Sequence, residues 1–288
     1  MSKKLFAQLG MVLTTMIWGV TFVMVKGALN DATPFMFASI RFGLSFFLAL
    51  LYINKKVHKI NSSEMIAGLV CGFCLYVGYA FQNFGLMETT PSKSAFITSV
   101  SVIMVPMMLV MFKIKTVHIR IWIATFLAIV GLYILLDPGG VGLNIGDILT
   151  FGCALSFAAH VIFQDIYISR GLNISHLLLT QLMFITFFSC CSVVVFEDFS
   201  IIASGRLFNA ILVTGIFGTF LALFIMIWAQ TILDPGQTAI LLSLEPVFAA
   251  LFSTFFAGEI LGISGWVGGL IIVVAVISLE LFPSKKNS

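Results

Sequence analysis

Ten stretches of about twenty mostly apolar residues follow one another along this chain. A continuous apolar run of that length is what an α-helix needs to cross the hydrocarbon core of a bilayer. Inside lipid every backbone polar group needs an internal partner, so helices or a closed barrel are the only spanning structures. The runs lack the short alternation of barrel strands. The sequence therefore predicts an all-α, polytopic membrane protein.

The composition excludes a soluble fold. Hydrophobic residues make up 60% and charged residues 9% of the 288 positions, whereas soluble domains carry about 25% charged residues. Breaks at Pro, Gly, Asn and charged residues place ten predicted spans at 5-27, 34-53, 64-87, 92-112, 119-137, 147-169, 176-196, 206-231, 236-257 and 263-282. The first run is longer than the apolar part of a signal peptide and no small-residue cleavage site follows it, so we expect it to be retained.

The basic residues predict how the spans are oriented, because cytoplasmic loops retain Lys and Arg. With the N-terminus inside, most basic residues fall on the cytoplasmic side, among them Lys55 and Lys56. The other side receives only Lys26, Lys93 and Arg206. Both termini are then cytoplasmic, and we expect the chain in the cytoplasmic (inner) membrane.

The two halves of the chain resemble each other. Segment 89-99 aligns with segment 233-243, with Pro, Ala and Ser coinciding, and a slightly different register lays Trp18-Gly19 over Phe157-Ala158. Because each repeat contains an odd number of spans, five, the second copy enters the membrane from the opposite side. This predicts a 5+5 inverted-topology repeat, 1-138 and 139-288. Two such halves can enclose a site near the midplane and expose it alternately to either side; the alternative is that duplicated helices merely form a stable bundle.

Several short motifs in this frame resemble those of a known family. They are Trp18-Gly-x-x-Phe22 in the first span, Ala95 to Pro106 in the fourth, and Ser243-Leu-Glu245-Pro246 followed by Gly258-Glu259 in the ninth. With the ten-span layout they resemble the EamA family of the drug/metabolite transporter superfamily, over essentially the whole chain. The resemblance implies an exporter or, less often, an importer of amino acids or related metabolites, and it does not fix the solute.

Glu245 and two prolines are the most informative residues at depth. A bare carboxylate near mid-bilayer is costly, so we expect Glu245 to be protonated, paired or facing water. It could gate, bind an amine or carry a coupling proton, or it could make a structural hydrogen bond to a neighbouring helix. Pro246 withholds a backbone donor and, with Pro106 in the fourth span, predicts helix breaks in the two halves.

His160 and Arg41 are the other deep ionisable side chains. His160 could contact the solute or carry a proton, or a neighbouring side chain could simply satisfy it. Arg41 stays charged in practice and could hold a substrate carboxylate in a bidentate grip. It could also snorkel outward, and the structural interpretation is favoured.

Further candidates supply hydrogen bonds or apolar walls. Gln82, Ser99 and Ser243 are polar side chains within spans, and Ser243 matches Ser99 by the repeat. Trp18, Phe22 and Tyr79 could line a cavity, although with thirty Phe in the chain an aromatic residue is more often packing.

The absence of several sequence motifs limits the functions that we expect of the chain. The chain has no HExxH, no GxSxG and no phosphate-binding glycine loop, so we predict no enzyme, no catalytic residue, no metal and no cofactor. Because no nucleotide-binding motif is present, we predict a secondary transporter of a small-molecule solute, either facilitative or coupled to protons. We expect the protein to contact the lipid bilayer and to bind no nucleic acid. A channel, or a structural or sensory protein, is the alternative. Two five-helix halves complete the assembly, so a monomer suffices.

Overall fold

Helices account for the architecture of the chain. The structure is a computed structural model that describes residues 2–53, 59–136, 144–256, 258 and 262–281. Lys55, Lys56 and Glu259, named above, lie outside these ranges. In order, the spans are span 1 Lys3–Ala28, span 2 Pro34–Ile53, span 3 Ser62–Glu88, span 4 Pro91–Thr98 with Ser101–Met111, span 5 Ile119–Leu136, span 6 Ile145–Ser169, span 7 Ile174–Phe196, span 8 Gly205–Leu212 with Val213–Leu221 and Ala222–Gln230, span 9 Pro235–Leu242 with Glu245–Phe256, and span 10 Ile263–Leu281.

The predicted all-α, ten-span class is confirmed. Eight of the spans are long and apolar enough to cross a membrane, and spans 5 and 10 are two further apolar helices. Short connections make consecutive spans antiparallel. We call the side of the molecule that carries Ser2 the N face and the other side the opposite face. Spans 1, 3, 5, 7 and 9 therefore start at the N face, and the even-numbered spans start at the opposite face.

Spans 4 and 9 are built alike although they run in opposite directions. Each starts with a proline in its first turn behind an N-cap side chain, Thr90 in span 4 and Asp234 in span 9. Each first half is a helix of eight residues. The breaks then fall at residues 99–100 and 243–244, which the repeat places in register. These matching breaks are what an inverted repeat requires of its central helices.

At the breaks, backbone hydrogen bonds span three residues instead of four. The breaks do not coincide with both of the prolines predicted to cause them, Pro106 and Pro246. The N–H of Val102 donates to the Ser99 carbonyl at 3.0 Å, three residues back, and the N–H of Val247 donates to the Leu244 carbonyl at 3.1 Å. Pro246 is the second residue after the break in span 9. Pro106 corrects the prediction, because it lies inside the half-helix Ser101–Met111, which continues through it.

Span 8 contains a nine-residue π-helix, Val213–Leu221. Side chains from spans 1 and 2 satisfy its carbonyls. The Trp18 Nε1 donates to the Gly218 carbonyl at 2.8 Å, and the Ser45 Oγ donates to the Gly215 carbonyl at 2.8 Å. Since π-segments are rare and concentrate at functional sites, span 8 is a third irregular element beside the two broken helices.

Polar ties hold the loops on the opposite face. Asp31 accepts hydrogen bonds from Arg206 Nη2 at 2.6 Å and from Ser204 Oγ at 2.7 Å. The Arg206 hydrogen bonds, followed by that of Ser204, lower the pKa of the Asp31 carboxyl. Glu197 accepts from the N–H of Phe35 at 2.9 Å, at the start of span 2 where the helix dipole favours an anion.

The two halves are interleaved. Span 3 packs on spans 6 and 7, span 2 on span 7, span 1 on the second half of span 9, and span 5 on span 10. Each of these pairs joins a span from the first predicted repeat to one from the second. Glycines permit the closest approach: a Cβ on Gly85 would lie 2.9 Å from the Gly146 carbonyl oxygen, and a Cβ on Gly146 would lie 2.6 Å from the Gly85 carbonyl oxygen. No side chain fits between spans 3 and 6 at this point.

We expect Gly85→Ala to destabilise the protein by about 1–3 kcal/mol, the usual cost of overpacking, because the new methyl group would press on the Gly146 backbone and the Thr150 hydroxyl. The measurement is the melting temperature of the purified protein in detergent. Gly205→Ala is the matched control, since a Cβ there meets nothing within 4 Å. Equal melting temperatures for the two variants would contradict the close packing of spans 3 and 6.

Candidate functional site

A central cavity lies beside the breaks of spans 4 and 9. Its volume, counted as the space that the centres of water molecules can occupy, is about 40 Å³, which is enough for a few waters. Its walls come from spans 1, 3, 4, 6, 8 and 9. The lining residues are Trp18, Thr21, Phe22, Leu75, Tyr79, Gln82, Thr98, Ser99, Ser101, Phe157, His160, Val161, Leu223, Met226, Leu242 and Glu245.

Most residues that the sequence singled out meet at this cavity. Of the nine predicted contact residues, seven line it: Trp18, Phe22, Tyr79, Gln82, Ser99, His160 and Glu245. They come from five different spans, so only the folded arrangement brings them together. Their roles in binding or gating remain predictions.

Glu245 is the buried acid of the cavity. It is the first residue of the second half of span 9 and is 7% exposed. Among the described residues, no group forms a hydrogen bond or an ion pair with its carboxyl group. A buried carboxylate is costly unless something pairs with it. The cavity is the place from which a ligand or water could do so.

Ser99 and Gln82 present further unpaired polar groups. The Ser99 Oγ is buried and has no hydrogen-bond partner among the atoms that the structure describes. The Gln82 side chain lines the same cavity and is 6% exposed. A hydroxyl and a carboxamide both donate and accept, so together they suit a ligand with a polar head group.

His160 and Trp18 line the cavity but already have protein partners. A ring nitrogen of His160 lies 3.0 Å from the Gln181 Oε1, which matches the expectation that a neighbouring side chain satisfies it. The indole N–H of Trp18 is used by the Gly218 carbonyl of the π-helix. Trp18 therefore offers the cavity a fixed ring surface, whereas His160 has a second ring nitrogen, Nδ1, besides the one bonded to Gln181.

Arg41 lies outside the cavity and does not snorkel. It is 2% exposed, and its Nε donates to the Thr219 Oγ1 at 2.8 Å. Its guanidinium lies over the ring of Tyr79, 4.8 Å from the centroid. The structural interpretation is the one that this geometry fits: Arg41 joins span 2 to the π-helix of span 8 and backs the Tyr79 ring, which does face the cavity.

Ser243 also departs from the prediction. It is fully buried, and its hydroxyl donates to the Ile240 carbonyl at 2.6 Å, three residues earlier in the same helix. It is not among the lining residues. Its repeat partner Ser99 lacks such a bond, so equivalent positions in the two halves have taken different roles.

Most of the lining residues that the sequence did not single out are the repeat equivalents of residues in the other half. The two registers found in the sequence place seven pairs of cavity residues at equivalent positions. These pairs are Trp18 with Phe157, Thr21 with His160, Phe22 with Val161, Tyr79 with Leu223, Gln82 with Met226, Thr98 with Leu242, and Ser101 with Glu245. Apart from Leu75 and Ser99, the pairs account for the whole lining. The cavity is therefore built on the symmetry axis of the fold.

We expect a cysteine at position 99 to react with a small thiol reagent and a cysteine at 243 to be protected, because Ser99 lines the cavity and Ser243 does not. Ser99→Cys and Ser243→Cys are made in a background without the five native cysteines, and labelling is followed by mass spectrometry. The two positions match in register and burial, so each controls for the other. Equal labelling would contradict the placement of the cavity.

Comparison with known proteins agrees with this geometry. A family model described as the EamA-like transporter family matches residues 5–137 and again residues 144–280. The chain is 35% identical over 279 residues to an uncharacterized transporter of Archaeoglobus fulgidus, covering 97% of this chain and 87% of that protein. It is 25% identical to the uncharacterized inner membrane transporter YedA of Escherichia coli K12, covering 93% and 90% of the two chains.

The fold is similar to that of a solved structure described only as the crystal structure of a protein. The TM-score is 0.79 at 15% sequence identity, and the similarity covers 98% of this chain and 99% of that one. The family model matches once in each half, and a division at 138/139 stays a prediction. With both halves matched and a relative above 30% identity over nearly its whole length, the chain belongs to the EamA-like transporter family.

Proposed function

We propose that this multi-pass membrane transporter is a secondary carrier that moves a small organic metabolite, an amino acid or a related compound, by alternating access of the central cavity. The observation that carries the proposal is the cavity at the two helix breaks, lined by seven repeat-related pairs of residues. A site on the symmetry axis faces both halves, so rocking one half against the other can open it to either face in turn. Export is the direction that the family resemblance implies.

Glu245 is the proposed binding group for the amine of the solute. It is the acid of the cavity lining, and Ser101, its repeat partner, carries no charge. An ammonium group would pair the buried carboxylate, and the aromatic walls of Trp18 and Tyr79 suit a cation. Gln82 and Ser99 would take the remaining polar groups of the solute.

Polar contacts on both sides of the cavity support a carrier. Toward the N face, the Gln164 and Gln230 side chains are hydrogen-bonded, and Gln230 Nε2 also donates to the Val161 carbonyl at 3.1 Å. Toward the opposite face, Lys93 pairs with the buried Asp147 at 2.6 Å. In the proposed cycle these two barriers open in turn, whereas a channel would need both open together.

We expect Glu245→Gln to lower the rate of counterflow of the transported solute by about ten- to a hundredfold, because a charge-assisted hydrogen bond to the amine is lost. The protein is reconstituted in liposomes loaded with unlabelled amino acids and related metabolites, and uptake of labelled solute is measured. Asp198→Asn, an exposed acid outside the cavity, is the control and should leave uptake unchanged.

The same assay separates the alternatives. Counterflow needs no ion gradient, so a residue that only carries a coupling proton would leave it intact in Glu245→Gln while proton-driven accumulation is lost. Flux that does not saturate and is not stimulated by internal solute would contradict a carrier and favour a channel. Chemical change of the solute would reveal an enzyme.

Both termini are proposed to face the cytoplasm, as the basic residues predict. A fluorescent-protein fusion at the C-terminus should therefore fluoresce in bacterial cells, and an alkaline phosphatase fusion at the same site should be inactive, because the phosphatase folds only after export. Fusions between spans 1 and 2 provide the reciprocal control. The reverse pattern would invert the orientation and, with it, the side from which each barrier opens.

A further inference from the structure

We propose that the solute is an α-amino acid with an apolar side chain, bound with its hydrocarbon toward the N face and its polar groups toward the opposite face. The inference rests on the proposed function and adds the class and orientation of the solute. It comes from how polar and apolar residues are distributed along the depth of the cavity.

The end of the cavity nearer the opposite face is polar. Thr21, Gln82, Thr98 and Ser99 line it. Each lies about two turns from the end of its span at the opposite face, or about 9–12 Å at the rise of an α-helix. Among these groups, the Ser99 Oγ has no partner in the described part of the chain. The Thr21 hydroxyl already donates to the Trp18 carbonyl at 2.8 Å, so the donors that this end offers to a carboxylate are the Ser99 hydroxyl and the Gln82 amide, beside the ring of Phe22.

The end nearer the N face is largely apolar, although His160, whose ring nitrogen is bonded to Gln181, also lines it. Val161, Leu223, Met226 and Leu242 line it, and each lies about 6–12 Å from the N-face end of its span. Not one of these four side chains can form a conventional hydrogen bond. A polar solute group placed here would lose its water without replacement, which is costly.

The acidic residue lies in the middle of the cavity. Glu245 and Ser101 each start the second half of a broken helix, so they lie at similar depth on facing spans. An amine held by Glu245 leaves the two other substituents of its carbon to point to the two ends. A carboxylate then reaches Gln82 and Ser99, and the side chain reaches Leu223 and Met226.

The difference between the two ends comes from the side chains, because equivalent positions of the two halves carry different residues. Gln82 and Met226 occupy equivalent sites in the two halves, as do Tyr79 and Leu223. The inverted symmetry gives the cavity two ends of equivalent backbone geometry. Phe22 at the polar end and His160 at the apolar end are exceptions, but the other side chains make one end polar and the other apolar, so a solute that has one polar and one apolar end fits best in a single orientation.

The test is a series of straight-chain amino acids: alanine, 2-aminobutyrate, norvaline and norleucine. Burying one methylene raises affinity about three- to fourfold, so the half-saturation concentration in counterflow should fall by about that factor at each step until the apolar end is filled. Serine and aspartate should bind more weakly than alanine. Ligand-induced thermal stabilisation of the detergent-purified protein gives a second, transport-independent readout.

Met226→Gln should flatten the series to less than about twofold per step, because it makes the apolar end polar like its repeat partner. Met111→Gln is the matched control, since Met111 is exposed at the end of span 4 and should keep the full dependence on chain length. Leu223→Thr is the second variant if Met226→Gln does not fold.

The outcomes keep the two proposals apart. If the wild-type protein carries amino acids but affinity is independent of chain length, or falls as the chain grows from alanine, the inference is overturned and the carrier stands. If the full series persists in both Met226→Gln and Leu223→Thr, the apolar end lies elsewhere and the inference is also overturned. If no solute of the broad panel shows counterflow or stabilisation, the proposed function itself fails.

Discussion

The need to satisfy every backbone polar group inside a bilayer governs this fold. Unbroken helices meet the requirement within themselves, and most of the chain is built that way. The exceptions are the two turns in spans 4 and 9 and the π-helix of span 8, and all three lie beside the central cavity. There the side chains of other spans take over: Trp18, Ser45 and Arg41 bind groups of the π-helix. The irregular backbone is therefore gathered where protein can compensate for it.

The internal repeat determines where the cavity lies, and the differences between the side chains of the two copies determine its chemistry. Seven pairs of equivalent residues form the cavity wall, yet the members of a pair rarely match in character. Ser101 faces Glu245 across the axis, and Thr21 corresponds to His160. In the proposed alternating-access cycle the backbone of each half serves both states, which leaves the side chains as the freer variable. A family of this architecture can change its solute by substitution within one half while the frame stays intact.

Length and apolarity were enough to predict the ten spans, because hydrocarbon thickness allows few solutions. The depth of Glu245 followed from helix rise alone. Other features depend on tertiary contacts that one sequence does not display. Pro106 is tolerated within a helix, and Ser243 turns its hydroxyl back to its own helix. A carboxylate-binding role for Arg41 stayed open beside the favoured structural one, because its partners, Thr219 and Gly218, are distant in sequence.

The π-helix of span 8 also bears on how the length of this helix can vary. An α-helix turns by about 100° per residue, so a single insertion rotates every following side chain away from its neighbours. A π-segment absorbs an additional residue within its wider turns. Leu223 and Met226 lie just beyond Val213–Leu221 and still face the cavity opposite their partners of the first half. Chimeras that exchange span 8 between relatives can therefore differ by one residue within Val213–Leu221, because a return to α-helical turns keeps the register, whereas a one-residue deletion within Ala222–Gln230 would rotate the residues beyond it by about 100°.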